Sequence, residues 1–340
     1  MRILIDILHP ADINFFKNAI KILLNKKHKI FITYTDRGNI ESILKKEYAD
    51  FEIPMIKLGT HHKKKFRKII GIPERVFKLI KFMKDKKFDK VISFQSFYLA
   101  MAAKFYRIPS IIFYDDYEYK STFNLCKIFA SRFVLPSSIP VSGKNIYKTY
   151  DFKELAYLHP TYFKPNIGVL KEYNLKPGEY VFIREISNIS LNYSQTSSNL
   201  DSIIKHVKKR RLKIILSLED KSLIPKYNKD CIILNEPVSD IYSLINFAKC
   251  VVTSGDTIAR EAALLGVPTI YTGKRKMSVN KQLINAGYIK QGNTYDYKYV
   301  NLRTKIIKNA SPIKYNNQDY KQFISRFRDT TKVIVEEITK

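Results

Sequence analysis

The chain has 340 residues, and 60 lysines and arginines against 31 aspartates and glutamates give it a formal net charge of +29. Hydrophobic residues make up 45% and aromatic residues 13%, which is enough for packed cores and excludes a globally disordered protein. Cys126, Cys231 and Cys250 are far apart in sequence, which argues against a disulfide framework or a structural zinc site and fits a reducing compartment.

The first ten residues carry an Arg and an Asp around a short apolar run, and a signal peptide would not place a carboxylate there. No window approaches the roughly 20 apolar residues that a membrane span needs. We therefore expect a cytoplasmic chain, and the length favours two domains.

Short β-rich apolar runs alternate with amphipathic segments along the chain. Strands are predicted at 2–7, 29–35, 87–93, 110–114, 131–135, 180–184, 212–218, 231–234, 250–253 and 269–272. Helices are predicted at 12–25, 98–106, 199–210, 239–248, 256–265, 281–286 and 319–339. This alternation predicts an α/β fold with parallel sheets covered by helices on both faces. Because ten strands in one open sheet would be unusual, we expect two doubly wound, Rossmann-like domains.

The domain boundary is predicted in a stretch rich in proline and glycine between Leu158 and Tyr180, where strand signals are weak. The domains are therefore residues 1–160 and 161–340. The final helix could pack on either, including back on the first domain.

Positive charge is concentrated between Thr60 and Lys90, where 12 Lys/Arg oppose three acidic residues. Pro73 predicts a break between a basic arm and a following helix of mixed apolar and cationic surface. One interpretation is a core-facing helix with a solvated lysine face, in a chain whose charge is compositional. The other is contact with an anionic membrane surface. No nucleic-acid-binding motif is present, so nucleic acid is not expected as a partner.

The most informative segment runs from Val251 to Thr272. A strand ends at Thr253, a Ser254-Gly255 turn follows, and a helix begins near Asp256 or Thr257. Backbone N–H groups at a helix start suit a diphosphate, and a glycine lets a phosphate approach closely. Glu261 lies one helical turn beyond Thr257, where its carboxylate could accept from ribose hydroxyls. The alternative is a plain βαβ turn with a Ser or Asp cap.

The run Gly255–Glu261, with Leu265-Gly266-Val267-Pro268 behind it, resembles the donor-binding segment of GT-B glycosyltransferases, most closely the peptidoglycan N-acetylglucosaminyl transferase pattern. Non-hydrolysing UDP-N-acetylglucosamine 2-epimerases carry a related segment with different spacing. Residues 6–11 and 150–165 further resemble a family of uncharacterised prokaryotic proteins within the GT-B superfamily. The resemblance covers nearly the whole chain and implies two Rossmann-like domains facing a central cleft. The second domain would then bind a nucleotide sugar.

In the first domain, the resemblance implies that the loop from His9 to Asn14 faces the cleft. Asp12 is expected to cap the following helix, and His9 or Asp12 could deprotonate an acceptor hydroxyl. His9 could instead have only a capping or packing role beside Pro10. Asp115 or Asp116, in a loop with three carboxylates, is expected to hydrogen-bond a sugar or acceptor hydroxyl. That loop holds an Asp116-x-Glu118 pair that only loosely matches a metal-binding Asp-x-Asp motif, so no metal is expected.

In the second domain, Arg184 ends the first strand and could neutralise a diphosphate leaving group without a metal. Lys274 and Arg275 could assist it or could be surface charge, and Lys276 is expected at the surface.

The leading hypothesis is a metal-independent glycosyltransferase of surface polysaccharide or glycolipid assembly. It would use a UDP-sugar as substrate, need no cofactor, and transfer to a glycan or lipid-linked acceptor. The catalytic candidates are His9, Asp12 and Asp115, and the donor-binding candidates are Arg184, Ser254, Gly255, Asp256, Thr257 and Glu261. A UDP-sugar 2-epimerase is disfavoured because the strand that ends Ser93-Phe94-Gln95-Ser96 has no carboxylate where the epimerases have one, and because the histidine of their His-Arg-Arg-Glu segment is missing before Arg184. A non-catalytic binding protein with the same fold is the remaining alternative.

Overall fold

A computed structural model describes residues 1–37, 39–60, 65–186, 199–235, 238, 240–301 and 322–340, with the backbone alone for residues 60 and 65–70. These residues form two compact units. Unit 1 consists of Met1–His159 and Arg328–Lys340, and unit 2 of Pro160–Phe327. Each unit contains a parallel sheet with associated helices, which confirms the predicted α/β class with two Rossmann-like domains.

The sheet of unit 1 has the strand order β3-β2-β1-β4-β5-β6-β7, and all its described neighbours pair in parallel. The strands are β1 (Arg2–Ile7), β2 (Lys29–Asp36), β3 (Met55–Thr60), β4 (Lys90–Phe94), β5 (Ser110–Phe113), β6 (Arg132–Pro136) and β7 (Ile146–Tyr150). The helices between them are α1 (Pro10–Asn25), α2 (Ile40–Glu47), α3 (Lys65–Met83), α4 (Phe97–Phe105), α5 (Lys120–Phe129) and α6 (Leu155–Leu158). The direction of strand addition reverses between β1 and β4.

Helix α3 continues through Pro73, so the predicted break at this proline is wrong. Proline lacks an N–H and costs a helix one backbone hydrogen bond, but its ring here lies on the solvent side. Behind it, Arg75, Leu79 and Met83 follow at four-residue spacing and are all buried. Burial of that face outweighs the lost hydrogen bond. The basic arm itself falls partly outside the described residues, which omit His61, His62, Lys63 and Lys64.

The sheet of unit 2 has the order β10-β9-β8-β11-β12-β13, again with parallel described pairs. Its strands are β8 (Tyr180–Glu185), β9 (Lys213–Leu218), β10 (Ile232–Ile233), β11 (Cys250–Thr253), β12 (Thr269–Tyr271) and β13 (Ile289–Gln291). The helices are α7 (Leu200–Lys208), α8 (Ile224–Tyr227), α9 (Ile241–Phe247), α10 (Asp256–Leu264) and α11 (Asn280–Asn285). The reversal of strand order lies between β8 and β11.

The C-terminal helix α12 (Thr330–Thr339) packs on unit 1. The prediction of one helix over 319–339 is wrong, because residues 325–329 are not helical; residues 319–321 lie outside the described part. Asp329 caps α12 by accepting from the Lys332 N–H at 3.2 Å, which starts a new helix there. The Thr330 and Thr331 hydroxyls then donate to the backbone carbonyls of Phe152 and Ala156, both at 2.7 Å. None of the described helices is long and apolar enough to cross a bilayer.

Candidate functional site

In an open parallel sheet, ligands bind outside the carboxyl ends of the strands, where the strand order reverses. In unit 1 this point follows β1 and β4, and the chain there carries His9 and Asp12 on one side and Gln95 on the other. In unit 2 it follows β8 and β11, at Arg184 and Ser254. Each unit therefore has one candidate site, and most of the predicted site residues lie at these two places.

The turn from β1 into α1 is closed by a reciprocal capping box. His9 is the N-cap, and its Nδ1 accepts from the Ala11 N–H at 3.2 Å. Asp12, three residues on, accepts from the N–H of His9 at 2.9 Å and of Leu8 at 3.0 Å. The prediction that Asp12 is the N-cap is therefore wrong. Pro10 takes the first helical position, which its fixed φ favours, and this moves the cap back to His9.

The environment of Asp12 in unit 1 suits proton transfer. Its carboxyl is buried, and burial raises its pKa from 3.8 to about 7. The two backbone hydrogen bonds, and the positive charges of Lys153 and Arg37, act in the opposite direction and keep the pKa from rising further. A carboxylate with a pKa near 7 can accept a proton from a bound hydroxyl at neutral pH.

Asp115, just past β5, is buried and held by two side chains. The Lys153 ammonium lies 3.0 Å from its Oδ2, and the Gln95 amide donates to its Oδ1 at 3.2 Å. Gln95 has φ +65, an uncommon conformation for a residue other than glycine that costs about 1–2 kcal/mol. Strained backbone of this kind is common at functional sites, where it holds a side chain in one orientation. At Gln95 the side chain is held so that its amide donates to Asp115.

A buried polar network lies beneath this turn, centred on Asp6 of β1. Its carboxylate pairs with the Arg75 guanidinium at 2.7 Å and accepts from the Ser96 hydroxyl at 2.6 Å and the Thr33 hydroxyl at 2.8 Å. Arg75 also donates to the Leu58 carbonyl. The network joins β1, β2, β3, α3 and the start of α4, so it fixes the ends of the strands that carry the site.

In unit 2, the turn from β11 into α10 is tied to the neighbouring strand β8. The Ile186 N–H donates to the Ser254 hydroxyl at 2.9 Å, and the Ser254 N–H donates to the Arg184 carbonyl at 3.2 Å. Gly255 is the N-cap of α10, and among the described residues no side chain caps this helix. The positive end of α10 thus lies beside the end of β8, an arrangement that suits a phosphate group.

Arg184 is half-buried at the end of β8, and its guanidinium donates to the Ser217 hydroxyl at the end of β9. The strand register pairs Arg184 with Thr253 on one side and Ser217 on the other. It is therefore next to the turn that leads into α10. A fixed guanidinium at this place can neutralise negative charge on a ligand at the helix start.

Asp256, the first residue of α10, is buried, and its carboxylate is engaged by two side chains of unit 2. Arg275 lies 2.8 Å from its Oδ2, and the Tyr271 hydroxyl donates to its Oδ1. This carboxylate therefore acts mainly within the protein and holds Arg275 at the helix start. Lys274 and Lys276, the neighbours of Arg275, are exposed.

Thr257 is partly exposed on the first turn of α10, and Glu261 is buried one turn further along the helix. Arg260, beside Glu261, is fully buried and donates to the Asn280 side chain at 3.0 Å. This contact ties the middle of α10 to α11 and so helps to hold the helix that carries Thr257 and Glu261.

No group of three or more His, Cys, Asp and Glu side chains suited to a metal ion occurs in the part of the chain that the structure describes. Asp116 and Glu118, which match a metal motif loosely, are partly exposed and exposed, respectively.

The structure brings Asp12, Gln95, Asp115 and Lys153 together in unit 1, and Arg184, Ser254, Gly255, Asp256 and Arg275 in unit 2. Lys153 is not among the site residues predicted from sequence, although it lies in the 150–165 segment that carries the family resemblance, and that resemblance is the signal that could have identified it. Arg275 is predicted only as one of three cations, because nothing local in the sequence separates it from Lys274 and Lys276.

The family model described as "Protein of unknown function (DUF354)" matches residues 1–340. The chain belongs to the DUF354 family. No curated protein matches this DUF354 chain at a significant level.

Solved structures with the same fold include nucleotide-sugar enzymes that this DUF354 protein matches over nearly its whole length. UDP-GlcNAc 2-epimerase from Methanocaldococcus jannaschii has a TM-score of 0.69 at 15% identity, with 100% of this chain and 99% of that chain covered. The Neisseria meningitidis UDP-GlcNAc 2-epimerase bound to UDP-GlcNAc has a TM-score of 0.66 at 15% identity, covering 100% of both chains. The glycotransferase of kitacinnamycin has a TM-score of 0.58 at 11% identity, covering 98% and 95%. At these identities the likeness establishes the GT-B fold alone.

Proposed function

We propose that this DUF354 protein is a metal-independent glycosyltransferase that uses a UDP-sugar donor in the assembly of a surface polysaccharide or glycolipid. The observation that carries the proposal is the structure at the start of α10. The N-cap of this helix is a glycine, and the turn before it is hydrogen-bonded to the end of β8, where the strand order of the sheet reverses. The N. meningitidis enzyme of the same fold was solved with UDP-GlcNAc bound, which supports a UDP-sugar as the ligand.

In this proposal the donor binds to unit 2. The diphosphate lies against the backbone of Ser254–Thr257, the Arg184 guanidinium offsets its charge, and Glu261 accepts from the ribose hydroxyls. Arg275 supplies a second cation beside the helix start, held by Asp256 at 2.8 Å. Fixed cations and a helix N-terminus can stabilise a departing diphosphate without a divalent ion.

The acceptor binds to unit 1. The Asp12 carboxylate takes the proton of the acceptor hydroxyl while the acceptor oxygen bonds to the anomeric carbon. The bond from that carbon to the diphosphate breaks, and UDP leaves with the electron pair. Asp115 and Gln95 bind hydroxyls of the reacting sugars. His9 is exposed and its Nδ1 accepts from the Ala11 N–H, so it serves the helix cap, and Asp12 is the better candidate for the base.

A UDP-sugar 2-epimerase is the second candidate, favoured by the end-to-end likeness to the epimerase structures from M. jannaschii and N. meningitidis. Against it, the end of β4, which runs into Gln95 and Ser96, carries no carboxylate. An epimerase must remove and return a proton at a sugar carbon, which requires acidic groups that differ in protonation.

The proposal includes reversible contact between unit 1 and the anionic inner surface of the membrane, which would bring the enzyme to a lipid-linked acceptor. It is supported by the cations between residues 60 and 90 and by Phe77 of α3, a residue that is 66% exposed. Lys81 and Lys84, further along the same segment, are exposed as well. An aromatic ring among lysines suits an anionic lipid interface.

The test begins with the purified protein and UDP-GlcNAc alone, followed by proton NMR. Formation of the 2-epimer without an acceptor would establish the epimerase and refute the transferase. If no isomer forms, a membrane extract is added with UDP-GlcNAc or other UDP-sugars, and we expect release of UDP and labelled glycan or glycolipid. The Asp12→Asn variant should lose that transfer and keep UDP binding. UDP binding with neither reaction would favour a binding protein.

A further inference from the structure

Three neighbouring helices of unit 1 each carry one large hydrophobic residue that is strongly exposed. They are Phe77 of α3, Phe105 at the end of α4, which is 67% exposed, and Ile128 of α5, which is 61% exposed. Among the residues that the structure describes, no other large hydrophobic residue is as exposed as these three. Single exposed hydrophobic residues are common on protein surfaces, but three on one layer of helices indicate an interaction surface.

The three helices lie on the same side of the sheet. They connect β3 to β4, β4 to β5 and β5 to β6, which all run in one direction across the sheet, and right-handed connections of this kind place their helices on one face. The Tyr106 hydroxyl donates to the Ile80 carbonyl at 3.1 Å, which joins the end of α4 to α3. The Lys104 ammonium lies 5.4 Å from the centre of the Phe129 ring, which joins the ends of α4 and α5.

The exposed residues project from the side of each helix that faces away from the sheet. In α3, Phe77 lies midway between Arg75 and Leu79, which are one turn apart and both buried. Phe105 and Ile128 each follow a fully buried residue by two positions, a rotation of about 200° around the helix. The three residues therefore share one surface, the outer face of α3, α4 and α5.

The charge of this outer face is positive. Helices α4 and α5 carry Lys104, Lys120 and Lys127, and the sequence has no acidic residue within 97–105 or 120–129. On α3 the single acidic residue is offset by the lysine one turn further along. Lysines therefore surround the exposed hydrophobic residues on all three helices.

This combination of charge and hydrophobic residues indicates the kind of partner. A symmetric dimer would bring the same face of two copies together, so lysines would oppose lysines without acidic residues from α4 or α5 to pair with them. An anionic lipid surface complements both properties, because its headgroups attract the lysines and its acyl region accepts the hydrophobic side chains.

We propose that the outer face of α3, α4 and α5 lies on an anionic lipid bilayer, with Phe77, Phe105 and Ile128 inserted below the headgroups. The proposal rests on the membrane contact proposed for unit 1 and identifies the surface that makes it. Phe105 and Ile128 lie near the C-terminal ends of their helices, whereas the candidate site of unit 1 lies at the carboxyl ends of the strands, at the opposite edge of the sheet. Lipid contact through this face leaves the loops of the candidate site uncovered.

The experiment uses the fact that the sequence contains no tryptophan. Phe105→Trp and Ile128→Trp each introduce a single fluorophore into the outer face of the full-length protein. With vesicles that contain phosphatidylglycerol, we expect both emission spectra to shift to the blue and both emissions to be quenched by lipids with brominated acyl chains. Vesicles of phosphatidylcholine alone should have neither effect. Ile167→Trp, at a residue of unit 2 that is 56% exposed, is the matched control and should not respond.

A second measurement removes the hydrophobic side chains. Phe105→Ser combined with Ile128→Ser should lower the affinity for the anionic vesicles about tenfold, because the partial burial of two large hydrophobic side chains is lost. Ile167→Ser should leave this affinity unchanged.

Sedimentation with anionic vesicles without a response of either fluorophore would overturn the proposal and assign the membrane contact to another surface. Absence of sedimentation would overturn both the outer face and the membrane contact. A blue shift that develops with protein concentration, without vesicles, would show that a second copy occupies the outer face, which also overturns the proposal. If both fluorophores enter the bilayer but the wild type transfers no sugar, the glycosyltransferase proposal fails and the lipid-binding face stands.

Discussion

The Arg275 guanidinium lies 2.8 Å from the Asp256 carboxylate, at the first residue of helix α10. This pair places a cation at the proposed diphosphate site. We expect Arg275→Met to weaken UDP binding about tenfold, the loss of roughly one charge-assisted hydrogen bond. Lys276→Met, which removes the same charge from an exposed neighbour, should leave the affinity unchanged. Isothermal titration calorimetry measures both. A variant with lower thermal stability but unchanged UDP affinity would restrict Arg275 to stabilising the helix start.

Glu261 is proposed to accept from the ribose hydroxyls, so its effect should depend on the 2′-hydroxyl of the ligand. We expect the wild type to bind UDP about tenfold more tightly than 2′-deoxy-UDP, since a hydrogen bond to a charged group contributes at least about 1.5 kcal/mol, and about 1.4 kcal/mol is a factor of ten in affinity. In Glu261→Gln this preference should shrink. Glu172→Gln, at an exposed position of unit 2, is the control. An unchanged preference would remove Glu261 from the donor site.

The raised pKa of Asp12 predicts a pH-dependent loss of stability. Below about pH 4 the group is protonated in both the folded and the unfolded chain and has no effect. Between pH 4 and 7 the unfolded chain releases the proton and the folded chain keeps it, so stability falls as pH rises. A difference of about three pH units corresponds to about 4 kcal/mol, an order-of-magnitude figure for a buried carboxyl.

Asp12→Asn removes this dependence while keeping an oxygen that can accept from the N–H groups of Leu8 and His9. Urea unfolding at pH 4, 6 and 8 should show that the free energy of unfolding of the variant, relative to that of the wild type, increases as pH rises. The difference should be absent in Asp50→Asn, an exposed position of unit 1. Equal slopes for the wild type and Asp12→Asn would contradict the raised pKa.

Membrane contact predicts sedimentation with vesicles that contain anionic lipid, and little with neutral vesicles. Each lysine near such a surface contributes about 1 kcal/mol, so changing Lys63, Lys64 and Lys65 to Gln should weaken binding strongly, as should high salt. The same number of charges removed from unit 2, at Lys205, Lys208 and Lys209, should have a smaller effect. If the protein sediments with neither anionic nor neutral vesicles, its positive charge reflects composition alone and the membrane proposal fails.

The central strands of both sheets could be predicted from sequence, because they are buried on both faces and form continuous apolar runs. The bounds predicted for Arg2–Ile7 and Cys250–Thr253 agree with those of β1 and β11. The strands that were missed, β3, β7 and β13, each lie at an edge of a sheet. They carry Lys57, Lys148 and Lys290, as edge strands commonly do, and the charged residues hide the strand pattern.

The candidate site, too, could be predicted from sequence only in part. The turn at Ser254-Gly255 could be predicted because the strand, the glycine and the helix start are consecutive in the chain. The ion pair of Lys153 with Asp115 could not be predicted, because it forms only when the loop after β5 and the loop after β7 lie at the same end of one sheet. The raised pKa of Asp12 likewise depends on burial, which a capping residue does not reveal in sequence.

Unit 1 contains both the beginning of the chain and helix α12, with all of unit 2 between them. Val333, Ile334 and Ile338 of α12 are buried, and Glu337 pairs with Arg132 of β6. During synthesis, the ribosome therefore completes the whole of unit 2 before it supplies the helix that covers unit 1. Until then the surface that α12 will occupy is exposed on the nascent chain, so unit 1 cannot complete its core before unit 2 has been synthesised. A stop codon after residue 327 would spare every residue of unit 2 and damage the domain encoded first.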